Sequence, residues 1–402
     1  MDTAVTKVGM QGEDRSFFGH PRGLSTLFFT ELWERFSYYG MRALLILFMT
    51  AAVTQGGLGF SVANAGAIYG LFTAMVYLLS LPGGWIADRL LGQRRTVLLG
   101  GILIAIGNFL LAAPSVVLFF AGLLVIAAGT GLLKPNISVI VGQLYEARDA
   151  RRDAGFSIFY MGINLGAFLA PLACGYLGQR VNWRLGFALA GVGMTLGTIQ
   201  YVTGWQHLRS AGLLLVREET PAERKRLLWR FWVLSATAAV LFAVMAAAVL
   251  TGFVSLTPRL VSDAFGAALL VAVGGVFAWL LFGGEWSPEE RRRLMVVGVL
   301  FTASAVFWAV FEQAGSTLNL FAQRSVNKSM FGFQFPASWL QSLNALFIVS
   351  LAPVFAWLWV RLGRREPSSP AKFVLGLLGA SAGFAILAEP ASRADAGVLV
   401  SV

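Results

Sequence analysis

Charged side chains lie inside a segment that is otherwise apolar enough to cross a membrane. The segment 27–53 contains Glu31, Glu34, Arg35 and Arg42. Each such charge costs about 2.5–3.5 kcal/mol at a helix centre on insertion scales. Glu31 and Arg35 are spaced i,i+4, and Glu34 and Arg42 lie eight residues apart, which predicts a single polar helix face turned towards protein or water. Charges held at this cost are typical of a pathway for solutes or protons.

Two further charges lie in later apolar segments, Lys134 in 116–140 and Glu312 in 294–321. Together with the first segment they make three acids and three bases, as a mutually neutralised cavity requires. We therefore predict that these charges converge on one central cavity between two helical bundles. The alternative for Glu31 and Arg35 is a purely structural ion pair.

Uncharged polar and aromatic residues accompany these charges. In 294–321 a stripe repeats at i, i+4, i+8 and i+11, formed by Trp308, Glu312, Ser316 and Asn319. Hydroxyls and amides are added elsewhere by Tyr38, Tyr39, Tyr69, Tyr77, Asn164 and Asn344. These residues are candidates for uncharged contacts with a ligand in the cavity. The alternative role for each of them is an interhelical hydrogen bond, or packing in the case of Trp308.

Composition indicates an all-α polytopic membrane protein. Hydrophobic residues make up 57% of the 402, charged residues 13%, and the mean hydropathy is +0.71, whereas soluble domains carry about 25% charged residues. Eleven apolar segments come near the ~20 residues that a spanning helix requires. They are 27–53, 65–87, 96–113, 116–140, 154–178, 185–202, 231–254, 264–283, 294–321, 337–360 and 373–388.

The distribution of the basic residues predicts the orientation. With the amino terminus inside, 22 of the 31 Lys and Arg fall in inside loops and six in outside loops, as the positive-inside rule expects. This pattern argues against nucleic-acid binding, despite the net charge of +11. No nucleophile set or metal-spaced cluster predicts an enzyme. His20 and His207 lie outside the predicted spans, which leaves proton transfer to carboxylates.

The predicted organisation has three parts. Residues 1–206 form a six-helix bundle, 207–293 a linker with two inserted apolar helices, and 294–402 a partial second bundle of three helices. Glu285 to Arg293 is interpreted as a charged hinge. Because a six-plus-six transporter would need three more helices, the chain is expected to lack its last three.

Ordered motifs resemble the proton-dependent oligopeptide transporter (POT) family of the major facilitator superfamily. The first-helix motif is Glu31-x-x-Glu34-Arg35-Phe36-x-Tyr38-Tyr39-Gly40, and the loop motif is Gly84-Trp85-Ile86-Ala87-Asp88-Arg89. Further motifs are Gly129-x-Gly131-x-x-Lys134-Pro135-Asn136, Phe159-Tyr160-x-x-Ile163-Asn164, Phe307-Trp308-x-x-Phe311-Glu312-Gln313 and Gln341-Ser342-Leu343-Asn344. Two departures are the absence of a segment matching the family's tenth helix with its acid, and Gly70 where animal members carry a histidine.

The resemblance implies a major facilitator fold with two inserted helices and proton-coupled uptake of di- and tripeptides by alternating access. It implies proton coupling through Glu31, Glu34, Arg35, Lys134 and Glu312. It implies substrate binding by Arg35, Arg42, Tyr38, Tyr39, Tyr77, Lys134, Asn164, Trp308, Glu312 and Asn344. Asp88 and Arg89 are expected to latch neighbouring helices.

The expected partners are small peptides, protons and the lipid bilayer, with no cofactor, metal, nucleic acid or obligate protein partner. The expected location is a bacterial inner membrane with the amino terminus in the cytoplasm. Two alternatives stay open: another solute of the same family, such as nitrate or a drug, and a truncated scaffold that transports nothing.

Overall fold

The structure is a computed structural model of the chain. The described residues are 16–146, 148–214, 222–223, 225–226, 228–233, 236–237, 240, 244, 257–330, 332–395 and 400–401. The predicted inserted span 231–254 lies largely outside them.

The first half consists of helices that are predicted to cross the membrane in alternating directions. They are α1 Arg22–Thr50, α2 Val62–Leu78, α3 Ser80–Ile86, α4 Gln93–Ala112, α5 Val116–Gln143, α6 Arg152–Tyr176 and α7 Trp183–Thr203. A π-helical turn, Ala87–Leu91, extends α3, and another, Leu177–Val181, extends α6. Short 3₁₀ turns follow α1 at Val53–Gln55 and α7 at Trp205–Leu208.

The second half contains fewer long helices than the first half, and it also contains short paired strands. Its helices are α8 Pro258–Phe282, α9 Pro288–Phe311, α10 Thr317–Ser325, α11 Ser342–Leu362 and α12 Ser369–Asp395, with 3₁₀ turns at Glu312–Gly315, Ala337–Gln341 and Gly363–Arg365. The strands are β1 Val326–Asn327, β2 Ser329–Met330, β3 Phe333–Gln334 and β4 Val400–Ser401. β1 pairs in parallel with β4, and β2 pairs antiparallel with β3.

The spans predicted from hydropathy correspond closely to these helices. Nine helices within the described residues are long and apolar enough to cross a membrane, and the 29-residue α1 adds a tenth that carries the buried charges. The protein is therefore an integral, multi-pass membrane protein built from α-helices.

Two details of the second half differ from the sequence prediction. The segment 294–321 is not one helix, because α9 ends at Phe311 and Ser316 has φ −120° and ψ −92°, which breaks the helical path before α10. Glu289 to Arg293 are the first turns of α9 instead of a hinge. A capping box starts that helix, since the Ser287 hydroxyl accepts from the Glu290 N–H while the Glu290 carboxylate accepts from the Ser287 N–H.

Small residues let the first-half helices approach closely. At the crossing of α4 and α5, a Cβ added to Gly100 would lie 2.6 Å from the Gly129 carbonyl oxygen, and one added to Gly129 would lie 2.7 Å from the Gly100 oxygen. Membrane helices associate by such van der Waals contact, because lipid provides no hydrophobic drive between them. The glycines near Lys134 are therefore packing residues.

Hydrogen bonds join the two halves at the membrane end where α1 and α6 finish. We call this contact the seal: Arg180 Nη2 to Gln334 O (2.6 Å), Gln179 Nε2 to Gln323 Oε1 (3.0 Å), Ser338 N to Gln179 Oε1 (3.1 Å), Trp339 Nε1 to Leu172 O (3.0 Å) and Ser342 Oγ to Phe168 O (2.8 Å). The seal holds the end of α6 against the residues just before α11, so the space between the halves is closed on this side.

Gly175 allows the seal to close. A Cβ at this position would lie 2.0 Å from Ser338 Oγ and 3.0 Å from Ser338 Cβ. Gly175→Val is therefore expected to weaken the seal, since overpacking costs about 1–3 kcal/mol, which shifts a two-state equilibrium about 5- to 150-fold. Ser338→Gly in the same chain should restore closure, because it removes both clashing atoms.

The measurement is the yield of a disulfide between cysteines placed at Gln179 and Gln323 in a chain with Cys174→Ala. The yield should fall with Gly175→Val and recover with the second substitution. Gly66→Val is the matched control, because a Cβ there meets nothing within 4 Å. An unchanged yield with Gly175→Val would show that this glycine does not limit closure.

Candidate functional site

A cavity of about 670 Å³ lies between the two halves. Every residue predicted to bind substrate lines it: Arg35, Arg42, Tyr38, Tyr39, Tyr77, Lys134, Asn164, Trp308, Glu312 and Asn344. Its volume falls within the ~300–1,000 Å³ of small-molecule sites. The structure thus brings these residues together, while their binding roles stay predictions.

Arg35 lies between two carboxylates of its own helix. Its Nε donates to Glu31 Oε1 at 2.8 Å and lies 2.5 Å from Glu34 Oε2. All three side chains are buried. Two carboxylates share one guanidinium, so with both acids ionised the group carries a net charge of −1.

These carboxylates have oxygens without hydrogen-bond donors among the described residues. Glu31 Oε2 and both oxygens of Glu34 are buried and make no hydrogen bond. Glu34 is 0% exposed and lies behind the cavity wall, whereas Glu31 lines the cavity. Because an unsatisfied buried charge is costly, this group has room for one more positive charge, either a proton or a cation.

Lys134 is a cation close to that group. Its Nζ lies 4.1 Å from the centre of the Tyr77 ring, and within the described part of the chain no carboxylate oxygen comes within 4.0 Å of it. A cation–π contact holds an ammonium more weakly than a buried carboxylate would. Lys134 therefore faces the cavity with its charge available for another partner.

Arg42 connects the halves across the cavity. Its Nη2 donates to Glu312 Oε2 at 2.7 Å, and its Nε donates to the Tyr69 hydroxyl at 2.5 Å. Glu312 lies in the 3₁₀ turn that interrupts the predicted stripe, and its side chain is 22% exposed. The break after α9 thus presents Glu312 to the first half, where Arg42 neutralises it.

The other predicted residues occupy different parts of the cavity wall and surface. Tyr38 is buried beside the Arg35 guanidinium, and Trp308 is half exposed. The Asn164 amide donates to Tyr160 O in its own helix. Asp88 is exposed and accepts from Gln93; the latching role predicted for Asp88 and Arg89 stays a prediction.

Three residues of the cavity region, Tyr69, Asn319 and Gln341, are not predicted as site residues by the sequence. Tyr69 orients Arg42 from α2, a contact between helices that no spacing in one helix reveals. In the sequence, Asn319 is part of a polar stripe and Gln341 is part of a motif, and the structure shows that both line the cavity. The signal for Asn319 was its polarity within an apolar segment.

Lys328 lies at the edge of the seal, outside the membrane-spanning segments, and the pKa of its ammonium is lowered. Burial lowers the pKa of the Lys328 ammonium, and the neighbouring Arg180 charge lowers it further. Its Nζ donates to Gln323 O at 2.6 Å. Lys328 thus supports the strand pair next to the seal.

A family model described as the POT family matches residues 94–398, more than half of the chain. The chain belongs to the POT family. The resemblance read from the motifs is therefore confirmed, and so is the all-α transporter fold, because the solved structures that match this fold are POT transporters.

Relatives and solved structures match across nearly the whole chain. The peptide transporter YePEPT of Yersinia enterocolitica is 42% identical over 93% of this chain and 74% of its own length. A di-/tripeptide transporter of Lactococcus lactis is 40% identical over 94% of this chain and 77% of its own. A crystal structure of a POT peptide transporter variant with alafosfalin has a TM-score of 0.84 at 46% identity, over 92% of this chain and 75% of that one.

Proposed function

We propose that this POT-family protein couples inward proton flow to the uptake of di- and tripeptides by alternating access. The observation that carries the proposal is that two acids and three bases line one cavity between the two halves, while the third acid, Glu34, is paired with Arg35 behind the cavity wall. The names of the relatives support peptides as the substrate class. Transport needs no cofactor beyond the coupling proton, and the protein is not an enzyme.

The ends of a peptide are the groups that this cavity suits electrostatically. A free peptide carries a carboxylate at one end and an ammonium at the other. Lys134, whose ammonium contacts the Tyr77 ring and no carboxylate among the described residues, would bind the peptide carboxylate. Glu312 would bind the ammonium, in competition with Arg42. Arg42 and Arg35 are already paired in this conformation, so they act on the peptide mainly through their acidic partners.

Proton coupling follows from the charge of the first-helix group. Glu31, Glu34 and Arg35 together lack one positive charge, which either a proton or the Lys134 ammonium can supply. When a proton neutralises a carboxylate, Lys134 is released towards the substrate. When the proton leaves, Lys134 is drawn back and the peptide carboxylate loses its partner. Proton loading and peptide loading are thereby linked.

Alternating access would use the seal and the Arg42–Glu312 pair together. Removing one member of a buried pair costs about 3–5 kcal/mol, so a peptide ammonium that takes Glu312 from Arg42 loosens a contact between the halves. We propose that the sealed end faces outward and that the conformation described here faces inward. In this proposal the amino terminus lies in the cytoplasm, and the protein works in a bacterial inner membrane, surrounded by lipid and without an obligate protein partner.

The test is dipeptide uptake by the purified protein in liposomes. An inward proton gradient with an inside-negative potential should drive accumulation above the external concentration, because one charge gains about 2.3 kcal/mol per 100 mV, enough for about 40-fold accumulation. A protonophore should abolish it. Equal labelled peptide inside and outside under a maintained gradient would contradict symport, and absence of any peptide exchange would favour a non-transporting scaffold.

A further inference from the structure

A smaller cavity lies beside the seal, and we call it the seal pocket. Its volume is about 350 Å³, and its lining includes Gln55, Gln179, Arg180, Trp183 and Arg184. Two of these residues are arginines, and no acidic residue lines the pocket. The volume falls at the lower end of the ~300–1,000 Å³ range of small-molecule sites. The seal pocket therefore has the size of a ligand site and carries charge of one sign.

The two arginines differ in their partners. Arg180 lies in the π-helical turn that extends α6, and its Nη2 donates to the Gln334 carbonyl oxygen across the seal at 2.6 Å. Arg184 lies in the first turn of α7 and is exposed. Within the described residues its guanidinium makes no hydrogen bond and no ion pair. One guanidinium thus has a neutral partner, and the other is available to a ligand.

A third basic residue approaches from the second half. The Lys328 ammonium donates to Gln323 O at 2.6 Å, and the Gln323 side chain accepts from Gln179 at 3.0 Å. Burial and then the Arg180 charge lower the pKa of Lys328, so these two cations repel each other across the seal. In the part of the chain that the structure describes, neither these two cations nor Arg184 forms an ion pair.

Closing the seal therefore brings three positive charges together. Clefts lined by one sign of charge concentrate ions of the opposite sign, and a guanidinium can bind a carboxylate or phosphate group with two parallel hydrogen bonds. We propose that the seal pocket binds a small oxyanion, a carboxylate or phosphate group, through Arg180 and Arg184, and that the bound anion holds the seal closed. This inference goes beyond the proposed transport of peptides and needs no peptide.

The direction of the effect follows from the charges that the anion meets in each conformation. In the closed conformation it meets the charges of both halves, whereas opening moves Lys328 away from Arg180 and weakens the positive potential of the pocket. A ligand that binds one conformation more tightly shifts the equilibrium towards that conformation. Small oxyanions are thus expected to make the sealed end open less often.

The experiment measures how fast a thiol buried in the seal reacts with N-ethylmaleimide, which is uncharged. Ser338→Cys supplies the thiol, since Ser338 is 0% exposed and its backbone N–H, which the substitution keeps, makes the contact with Gln179. The purified protein also carries Cys174→Ala, and Lys134→Gln so that carboxylates lose their proposed partner in the central cavity. Acetate replaces chloride at constant ionic strength, which keeps screening unchanged. Acetate at about ten times its dissociation constant should slow labelling about tenfold.

Arg184→Gln tests the pocket without removing a contact of the seal. It should need about tenfold more acetate for the same slowing, as expected when one hydrogen bond between charged groups is lost, and labelling without acetate should not become faster. Arg259→Gln is the matched control, because this exposed arginine pairs with Asp263 at the start of α8 and does not line the seal pocket. It should respond to acetate as the parent chain does.

Nanodiscs distinguish the two sources of the oxyanion. Slow labelling in phosphatidylglycerol without acetate, lost with Arg184→Gln, would assign the seal pocket to a lipid headgroup. Slowing by acetate in phosphatidylcholine would assign it to a free anion.

The anion site would be overturned by faster labelling in acetate or by a response that Arg184→Gln leaves unchanged. Equal labelling in both salts together with equal labelling in both lipids would also overturn it. Because the assay contains no peptide, these results would leave the proposed function intact. Absence of proton-driven uptake would overturn the proposed function without affecting the anion site.

Discussion

Glu34→Gln and Glu31→Gln are each expected to abolish proton-driven accumulation of dipeptide while preserving some exchange of peptide across the membrane. Both carboxylates share Arg35, and together with it they lack one positive charge. Glutamine keeps the shape but removes the charge that a proton would neutralise, so peptide movement is no longer linked to proton movement. Accumulation should fall from about 40-fold at 100 mV to the external level.

The measurement compares two assays on the same liposomes, uptake under a proton gradient and counterflow without one. Asp263→Asn is the matched control, since this acid is 70% exposed at the start of α8 and its one ion pair among the described residues is with Arg259 at 3.8 Å. It should accumulate peptide as wild type does. Accumulation at the wild-type level in both Glu variants would refute the assignment, and loss of counterflow as well would indicate that these acids bind peptide or maintain the fold.

Lys134→Gln is expected to remove the preference for a peptide with a free carboxyl end. Within the described residues the Lys134 ammonium meets the Tyr77 ring and no carboxylate, so a substrate carboxylate is the partner that it lacks. Wild-type protein should bind a dipeptide about 10- to 150-fold more tightly than its carboxyl-terminal amide, the range for a hydrogen bond to a charged group. In the variant this ratio should approach one.

Glu312→Gln is the complementary variant. It should weaken the preference for a free amino end over an N-acetylated peptide and leave the preference for the free carboxyl end intact. Binding is measured instead of transport, because Lys134 also takes part in the proposed proton coupling. Lys372→Gln, which alters a lysine paired with Glu366 away from the cavity, is the control. Equal binding of free, amidated and acetylated peptides by wild-type protein would redirect the proposal to another solute of the family.

The sequence by itself determined the class of this protein, most of its helices and the family. Ten spans could be predicted because a bilayer demands about 20 apolar residues for each crossing. This requirement concerns only consecutive residues, so the sequence alone is enough to recognise it. The face that holds Glu31 and Arg35 was readable for the same reason, because i,i+4 spacing within one helix determines which side chains are neighbours. The motif residues then identified the family before any contact was known.

Only the tertiary structure decided how the charges pair across helices. Arg42 could have bound a peptide carboxylate, but it meets Glu312 and Tyr69 from two other elements, whereas Lys134 is left to an aromatic ring. The sequence also did not predict the break at Ser316, since a continuous apolar stretch does not indicate where the backbone changes direction. The approach of Lys328 to the arginines of the seal pocket is visible only once both halves are placed, because no spacing along the sequence indicates which charges meet across two halves.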